Sequence, residues 1–261
     1  MTEWYKRSPV WIFEQEMAAI LSEIEKNSDI IRLAYSADDV RKNYSEGIMS
    51  GILTIEGPAG FDFDAGLLKD LYNVGFRMTT LGWNEQNILA GSHKTGGGLT
   101  QKGREFVKEA QKVGMIVDVS HISDEAFWSI MDITEKPIVA SHSNSRAVCD
   151  VSRNLTDDMF RAICQSGGVA GFNHCAPFVG TQPDLDTVCD HILHFLELDP
   201  EGKHIALGGD LDGCDQLPDG FDGVQSYPAM AQQLLRRGVS EEILRNIYWE
   251  NALGVMDACC L

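Results

Sequence analysis

Four ionisable side chains each follow a short apolar run of the sequence. The runs ILTIEG, IVDVSH, PIVASH and HIALGGD lead to Glu56, His121, His142 and Asp210. In a parallel α/β barrel, the side chains at the carboxyl ends of the strands gather at one face, where the active site lies. Imidazole and carboxylate ligands together suit Zn²⁺, and three protein ligands with an open position are typical of a catalytic site. We therefore predict that Glu56, His121 and His142 bind a zinc ion.

Each of these residues also has a simpler explanation. His142 in Ser-His-Ser could cap the next helix, and Glu56 before a Gly-Pro pair could be a loop acid. Asp210 in GGDLDG could be only a turn residue. The repetition of such side chains at four strand ends favours the metal site. A calcium loop that begins at Asp210 is excluded, because its twelfth position holds Phe221 instead of Glu.

The apolar runs that must position these side chains are rich in Val, Ile and Leu. They do not alternate strictly with polar residues, as expected for strands covered on both faces. Longer amphipathic stretches separate them, which is the pattern of β/α units and a parallel sheet. The six predicted strands are Ile48–Ile55, Val74–Leu81, Met115–Val119, Ile138–Ala140, Val169–Phe172 and His204–Leu207. We predict an α/β fold of the TIM-type (β/α)8 barrel kind, incomplete because a closed barrel needs eight strands.

Several of the intervening helices have recognisable ends. Thr100 can cap a helix that ends at Gly114, and Thr156, followed by two aspartates, can start another. Further helices are predicted at Ser8–Asn27, Asp184–Leu198 and Ser240–Leu253. No internal repeat or Pro/Ser-rich linker divides the sequence, so we predict a single domain over residues 1–261.

The composition excludes some classes of partner. The chain carries 21 Lys and Arg against 39 Asp and Glu, a formal net charge of -18. Such a surface repels phosphate backbones and anionic lipids, so we expect no binding to nucleic acid or membranes. No run approaches the roughly 18 apolar residues of a membrane helix, and no signal sequence begins the chain. The seven cysteines are scattered without a C-x-x-C pair, which indicates reduced thiols and a cytoplasmic protein.

Longer strings of the sequence carry a family resemblance. These strings are ILTIEG, GFRMTTLGWNEQN, GLTQKGREFVKEAQKVGMIVDVSHIS, PIVASHSNSRAV, SRNLTDDMF, GGDLDG and ENALGVMD. In this order, and over nearly the whole chain, they resemble the renal (membrane) dipeptidase family. The resemblance implies a two-zinc hydrolase that cleaves dipeptides by attack of a metal-bound hydroxide. It also implies tolerance for D-residues at the second position of the substrate.

The matching motifs imply roles for individual residues. By this resemblance Glu56 matches the carboxylate that bridges the two metals, and His121 and His142 match the imidazoles that bind one of them. Asp210 matches the acid that handles the proton of the attacking water, which makes it the predicted catalytic residue.

Two further residues are implied to contact the substrate. Arg153, in SRNLTDD, matches the residue that binds the free carboxylate of the dipeptide, a task suited to a bidentate guanidinium. Trp83 stands where many members of the family have a His that binds the carbonyl oxygen of the substrate. The contact to that oxygen therefore differs in this chain.

The sequence departs from the family at its beginning. The family starts with a strand ending in His-x-Asp, which binds the other metal, and continues with a second strand. This sequence has neither, and no His precedes His93. We therefore expect one zinc ion instead of two. An incomplete barrel exposes the edges of its outer strands, so we predict association as a homo-oligomer or with a complementing N-terminal fragment.

Three functions remain open from the sequence. The leading prediction is a zinc-dependent dipeptidase. The second is a non-catalytic remnant of the fold that needs an N-terminal partner. The third is another amidohydrolase that acts on carboxylate-bearing amides, since Arg153 suits any substrate with a free carboxylate.

Overall fold

Short parallel strands alternate with helices along most of the chain, as the sequence predicts. The computed structural model describes residues 7–260. The chain divides into two units. One consists of the described residues up to Glu135 together with residues 256–260, and the other of Lys136–Val255. Within the described residues, no helix is both long enough and apolar enough to cross a bilayer.

The first unit begins with a long helix and continues with strands and shorter helices. In chain order it holds α1 (Pro9–Lys26), β1 (Ile31–Leu33), α2 (Ala37–Ser45), β2 (Met49–Gly51), β3 (Leu53–Ile55), α3 (Leu68–Val74), β4 (Phe76–Thr80), β5 (Ala90–Ser92), β6 (Gly96–Leu99), α4 (Gln101–Val113), β7 (Ile116–Asp118) and α5 (Asp124–Met131). Two 3₁₀ turns, Pro58–Phe61 and Ala65–Leu67, lie between β3 and α3.

Strands β3, β4 and β7 form a parallel sheet in the first unit. All residues of β7 are buried, as expected for an apolar strand with both faces covered. The predicted strand Ile48–Ile55 is two strands, because its halves pair with different partners. Its first half, β2, pairs with β1, whereas its second half, β3, pairs with β4.

The ends of helix α4 lie where the sequence predicts them. The Thr100 side chain accepts a hydrogen bond of 3.0 Å from the backbone N–H of Gly103, which satisfies one of the free donors of the first turn. The helix ends at Gly114, whose φ of 92° is a left-handed conformation that glycine adopts without strain. The helix presents Phe106, Val107 and Ala110 to the core, where all three are fully buried.

Strands β5 and β6 form an antiparallel hairpin that the sequence analysis did not predict. The three consecutive glycines Gly96, Gly97 and Gly98 belong to this hairpin, and the first two have φ of 69° and 91°. A side chain at Gly91 would collide with the backbone oxygen of Gly96. The glycine cluster therefore serves a tight turn with close backbone approach.

The second unit continues the alternation of strands and helices. It holds β8 (Ile138–Ala140), α6 (Asp157–Ser166), β9 (Val169–Asn173), α7 (Ala176–Val179), α8 (Leu185–Leu198), β10 (Ile205–Gly209), α9 (Tyr227–Arg236), α10 (Glu241–Arg245) and α11 (Asn251–Cys259), whose last residues belong to the first unit. A π-helical turn, Asn246–Glu250, joins α10 to α11.

Strands β8, β9 and β10 pair in parallel in the second unit. Val139 pairs with Val169, and Ile205 pairs with Ala170. Gly171 on β9 and Gly208 on β10 both approach the carbonyl oxygen of Ser141, and a side chain at either position would collide with it. Glycine is therefore required where these strands end close to the backbone that follows β8.

Helices α6 and α8 pack through aromatic and histidine side chains. Phe160 and Phe195 stack with their ring centroids 4.1 Å apart. His191 is fully buried, accepts a hydrogen bond at Nδ1 from the backbone of Ser145 and lies 2.9 Å from the backbone oxygen of Val179 through Nε2. His194 lies 2.8 Å from an Asp157 carboxylate oxygen. His191 and His194 therefore serve packing and hydrogen bonding.

Candidate metal centre and substrate site

Glu56 and His121 contact each other in the first unit. Glu56 follows β3 and His121 follows β7, and these strands flank β4 in one parallel sheet. Their Oε1 and Nε2 atoms are 2.8 Å apart, the His121 side chain is 8% exposed and the Glu56 side chain 46% exposed. Two residues that follow different strands thus lie side by side. The carboxylate of Glu56 is therefore open to solvent, whereas the imidazole of His121 is buried.

The His121 ring is oriented by Asn84. Nδ1 of His121 lies 3.2 Å from Oδ1 of Asn84, and Nε2 of His93 lies 3.0 Å from the same oxygen. Because an amide oxygen only accepts hydrogen bonds, Nδ1 of His121 donates to Asn84. Nε2 faces Glu56 as a donor when the ring is protonated and as a lone pair when the ring is neutral, and the neutral ring is the form that binds a metal. An oriented imidazole beside a carboxylate therefore fits a metal ion.

The backbone at His121 is also unusual. His121 has a φ of 70°, in the left-handed region that most non-glycine residues avoid. Its carbonyl oxygen accepts a hydrogen bond of 2.8 Å from the backbone N–H of His93. The hairpin formed by β5 and β6 thus holds this strained position in place.

Asn84 and His93 are not among the residues that the sequence predicts for the site. Asn84 lies in GWNEQN, just beyond the end of β4. Its position after a strand is the sequence feature that could have indicated a site residue. Amide side chains at strand ends are common in turns. Only the distances to His121 and His93 identify Asn84 as the residue that orients a metal ligand.

Trp83 lies beside the metal-binding pair. Its ring centroid is 6.3 Å from that of His121, and the residue is 57% exposed. A large apolar ring that remains open to solvent next to a candidate metal ligand is available to contact a substrate. It offers an indole N–H as a hydrogen-bond donor, whereas the His implied by the resemblance offers an imidazole.

His142 lies in the second unit, just after β8. It is buried, and its Nδ1 is 2.6 Å from the hydroxyl of Ser141. Its carbonyl oxygen accepts a hydrogen bond of 3.3 Å from the side-chain amide of Asn173. The imidazole therefore has a fixed orientation, which is a requirement for a metal ligand.

Asp210 follows β10 in the second unit, in a constrained turn. Its φ is 59°, another left-handed conformation at a non-glycine residue. One carboxylate oxygen, Oδ2, accepts a hydrogen bond of 2.9 Å from Nδ2 of Asn173. The side chain of Asp210 is thereby held at the end of the strand.

Arg153 lies in the second unit in the segment between β8 and α6. It is almost fully buried, and its Nη1 donates a hydrogen bond of 2.9 Å to the hydroxyl of Ser143. Its guanidinium carbon lies 5.8 Å from the centroid of the Phe178 ring. A buried guanidinium is costly unless an anion or several acceptors compensate it, so the position is suited to binding a carboxylate.

Three asparagines that the sequence analysis did not single out fix the loops around these residues. The side-chain oxygen of Asn144 accepts from the backbone of Asn173 at 2.8 Å, and its amide donates to the Asn173 carbonyl at 2.9 Å. The Asn154 side chain donates to the carbonyl oxygens of Cys149 and Phe178, both at 2.8 Å. Because both the N–H groups and the oxygen of these buried amides are hydrogen-bonded, they rigidify the loops that carry the predicted site residues.

His174 follows Asn173 but belongs to an aromatic cluster. It is fully buried and stacks on Phe221 with ring centroids 4.1 Å apart, with Tyr227 at 5.4 Å. Burial lowers the pKa of His174 to about 4 because the charged form is poorly solvated there. His174 is therefore neutral at physiological pH, and it is not among the residues that the sequence predicts for the site.

The parallel α/β sheet and the adjacent Glu56 and His121 side chains fit a metal-dependent hydrolase. The family model for membrane dipeptidases (peptidase family M19) matches residues 3–259. The chain belongs to the membrane dipeptidase family, as the sequence resemblance implies. Membership of this family indicates that the chain is a peptidase and therefore a hydrolase. It does not favour a non-catalytic remnant or another amidohydrolase.

Individual relatives are similar to this chain over most of its length. An uncharacterized protein in the pqqA 5′ region of Klebsiella pneumoniae is 33% identical, covering 95% of this chain and 96% of that protein. An uncharacterized dipeptidase of Schizosaccharomyces pombe, C3A11.10c, is also 33% identical, over 83% of this chain and 54% of its own length. This chain therefore spans about half of the yeast relative.

A solved structure supports the fold. A metallopeptidase from Rhodobacter sphaeroides, crystallised with a phosphinate mimic of the dipeptide L-Ala-D-Ala, is 28% identical to this chain. The match has a TM-score of 0.86 and covers 93% of this chain and 73% of that one. The predicted fold class, an incomplete TIM-type barrel with about six of eight strands, is confirmed.

Proposed function

We propose that this protein is a zinc-dependent dipeptidase that hydrolyses dipeptides, including those with a D-residue at the second position. The observation that carries the proposal is the 2.8 Å approach of Glu56 to His121 at the ends of β3 and β7. Membership of the membrane dipeptidase family supports it. The phosphinate mimic of L-Ala-D-Ala bound by the Rhodobacter sphaeroides relative supports the stereochemistry of the substrate.

We further propose that Glu56, His121 and His142 together bind one zinc ion. Each of these residues offers one ligand atom of a type that zinc binds. Two imidazoles and one carboxylate leave a position open, as catalytic zinc sites do. When bound, zinc would supply a Lewis acid that polarises the peptide carbonyl and lowers the pKa of water.

Asp210 is the proposed proton-handling residue. A carboxylate at a strand end can accept a proton from the attacking water and donate it to the amine that leaves. The hydrogen bond from Asn173 occupies Oδ2 at 2.9 Å, so Oδ1 is the oxygen we assign to proton transfer. No covalent intermediate with the protein is needed for this chemistry.

Arg153 and Trp83 are the proposed substrate-binding residues. Arg153 would bind the free carboxylate of the dipeptide, since a guanidinium can donate two parallel hydrogen bonds to that group. The hydrogen bond between Nη1 and Ser143 fixes the plane of the guanidinium. Trp83 would contact the substrate near the metal, with its exposed indole in the place of the family's His.

The organisation of the protein is a further proposal. We propose one barrel domain over residues 1–261 that associates either as a homo-oligomer or with a complementing N-terminal fragment. Strand β3 ends its parallel sheet among the described residues, and such edges favour pairing with another chain. We propose a cytoplasmic location, since the seven cysteines are scattered without a C-x-x-C pair.

The decisive experiment measures zinc content and hydrolysis together. Purified protein is assayed for bound zinc by mass spectrometry and for hydrolysis of L-Ala-L-Ala, L-Ala-D-Ala and N-acetyl-L-alanine. We expect about one zinc per chain and cleavage of dipeptides but not of the acyl amino acid. His121→Ala should lose both zinc and turnover, whereas His194→Ala, which changes a histidine paired with Asp157, should keep both. Turnover by His121→Ala at the wild-type rate would refute the proposed site.

A further inference from the structure

Two free cysteines of the second unit contact each other. Cys175 lies two residues beyond the end of β9, and Cys214 lies five residues beyond the end of β10. Because β9 and β10 are neighbouring parallel strands, their carboxyl ends lie side by side. The two thiols form a hydrogen bond with each other. The fold therefore brings two sulfur atoms together from separate parts of the sequence.

The backbone around Cys175 is joined to the loop that follows β10. The N–H of His174 donates to the carbonyl oxygen of Gly209 at 3.0 Å, and the N–H of Ala176 donates to the carbonyl oxygen of Gln216 at 2.9 Å. Cys175 thus lies between two hydrogen bonds that tie its segment to this loop. A disulfide forms without backbone rearrangement only where the two Cα atoms lie within about 7 Å. Because the segments are tied on both sides of Cys175, the sulfur atoms need only a small movement to bond.

The surroundings of the pair favour a disulfide over free thiolates. Burial raises the pKa of both thiols, and the carboxylates of Asp210 and Asp215 raise it further. Arg153 opposes them only at Cys175. Dithiols whose thiolate form is stabilised give strongly oxidising disulfides, whereas these thiolates are destabilised, so their disulfide resists reduction. Both side chains are only partly buried, and a small reagent can therefore reach them.

Both cysteines are connected to Asp210. The thiol of Cys214 donates a hydrogen bond of 2.8 Å to the carbonyl oxygen of Asp210. The backbone N–H of Cys175 donates at 2.6 Å to the side-chain oxygen of Asn173, whose amide donates to Oδ2 of Asp210. In a disulfide, Cys214 has no hydrogen to donate and the two sulfur atoms are about 2.0 Å apart. Oxidation therefore removes one contact that holds the Asp210 turn and displaces the other.

We infer that Cys175 and Cys214 are a modification site, which closes into a disulfide in the presence of a small-molecule disulfide of the glutathione type and thereby lowers turnover through Asp210. One thiol attacks the small disulfide, breaks its S–S bond and releases one small thiol, which takes the proton. The second thiol attacks the mixed disulfide and releases the other small thiol with the second proton. Two electrons thus pass from the protein to the small disulfide. The effect on turnover rests on the proposed function, whereas the pairing does not.

Mass spectrometry tests the pairing directly. The full chain is incubated with oxidised glutathione at mildly alkaline pH, digested without reduction and mapped. We expect a cross-linked peptide that contains Cys175 and Cys214 and that dithiothreitol separates. Cys149→Ser is the matched control, because it removes another partly buried thiol, and it should form the same cross-link. Cys175→Ser and Cys214→Ser should instead each carry glutathione on the cysteine that remains.

Hydrolysis of L-Ala-L-Ala tests the connection to Asp210. We expect oxidation to lower kcat/KM of the wild-type chain about tenfold, because the carboxylate is displaced, and dithiothreitol to restore it. The double variant Cys175→Ser/Cys214→Ser should keep its own initial kcat/KM under the same treatment. Zinc content is measured before and after oxidation, and it should not change.

Two outcomes would overturn the inference. The first is a digest in which Cys175 and Cys214 carry only separate glutathione adducts or are bonded to other cysteines. The second is a wild-type chain that forms the cross-link and yet keeps its full kcat/KM. A chain that forms the cross-link but cleaves no dipeptide before oxidation would instead refute the proposed function while it supports the pairing.

Discussion

Asn173 joins the side chain of Asp210 to the backbone of His142. Its Nδ2 donates to Oδ2 of Asp210 at 2.9 Å and to the carbonyl oxygen of His142 at 3.3 Å. The Asn173 amide oxygen accepts a 2.6 Å hydrogen bond from the backbone of Cys175, so the orientation of the amide is fixed. One buried asparagine therefore sets the position of the proposed proton-handling carboxylate relative to a proposed metal ligand.

Replacing Asn173 should impair catalysis more than metal binding. In Asn173→Ala the Asp210 carboxylate loses its fixed position, and we expect kcat/KM for L-Ala-L-Ala to fall by about 10- to 100-fold. Zinc content, measured by mass spectrometry, should stay at the wild-type level.

The control for this variant is another buried asparagine. Asn43→Ala removes a hydrogen bond of 3.0 Å to Ser50 and should lower stability without changing the kcat of the folded enzyme. An equal loss of kcat/KM in both variants would show that Asn173 acts only on stability.

Asn84 should affect zinc affinity. Asn84→Ala removes the acceptor that orients the His121 ring, and removal of such a partner typically costs about 10- to 100-fold in metal affinity. Competition with a chelator measures the affinity. Unchanged affinity in Asn84→Ala would contradict the orientation that we assign to His121.

The carboxylate of the substrate should be recognised by Arg153. Arg153→Lys keeps the charge but loses the planar pair of donors, so we expect KM for L-Ala-L-Ala to rise about tenfold or more. The matched substrate is the C-terminal amide of the same dipeptide. The wild-type enzyme should cleave this amide poorly, and the variant should not lose further activity on it. A similar rise in KM for both substrates would argue against this role.

His174 should make stability depend on pH. Its folded pKa, about 4, lies below the value of about 6.5 expected in the unfolded chain. The unfolded state therefore binds the proton more readily, and stability present above pH 6.5 is lost as the pH falls toward 4. Between pH 6.5 and 5 the loss should reach about 2 kcal/mol at most.

Urea unfolding at several pH values measures this loss. His174→Phe should remove this part of the pH dependence, because phenylalanine cannot be protonated. The control is His204→Phe, which alters a histidine outside the aromatic cluster. If His174→Phe shows the wild-type slope, another group causes the acid sensitivity.

The sequence predicts the strands and the residues that follow them better than it predicts the residues that hold those side chains in position. Glu56 and His121 follow apolar runs, and a parallel sheet brings such positions together. Asn84 and Asn173 carry no comparable signal, because the role of an amide depends on which groups lie within 3 Å of it. The hairpin of β5 and β6 also escaped prediction, since its glycine-rich sequence lacks the alternation of a typical strand.

The left-handed backbone at His121 and Asp210 lowers the stability of the protein. A glycine at either position would relieve roughly 1 kcal/mol of conformational strain while it deleted a functional group. Selection for heat resistance alone would therefore favour inactive variants at these positions, whereas selection for turnover would keep the strained side chains. Engineering of a more heat-stable variant should therefore keep both residues and introduce stabilising substitutions at other positions.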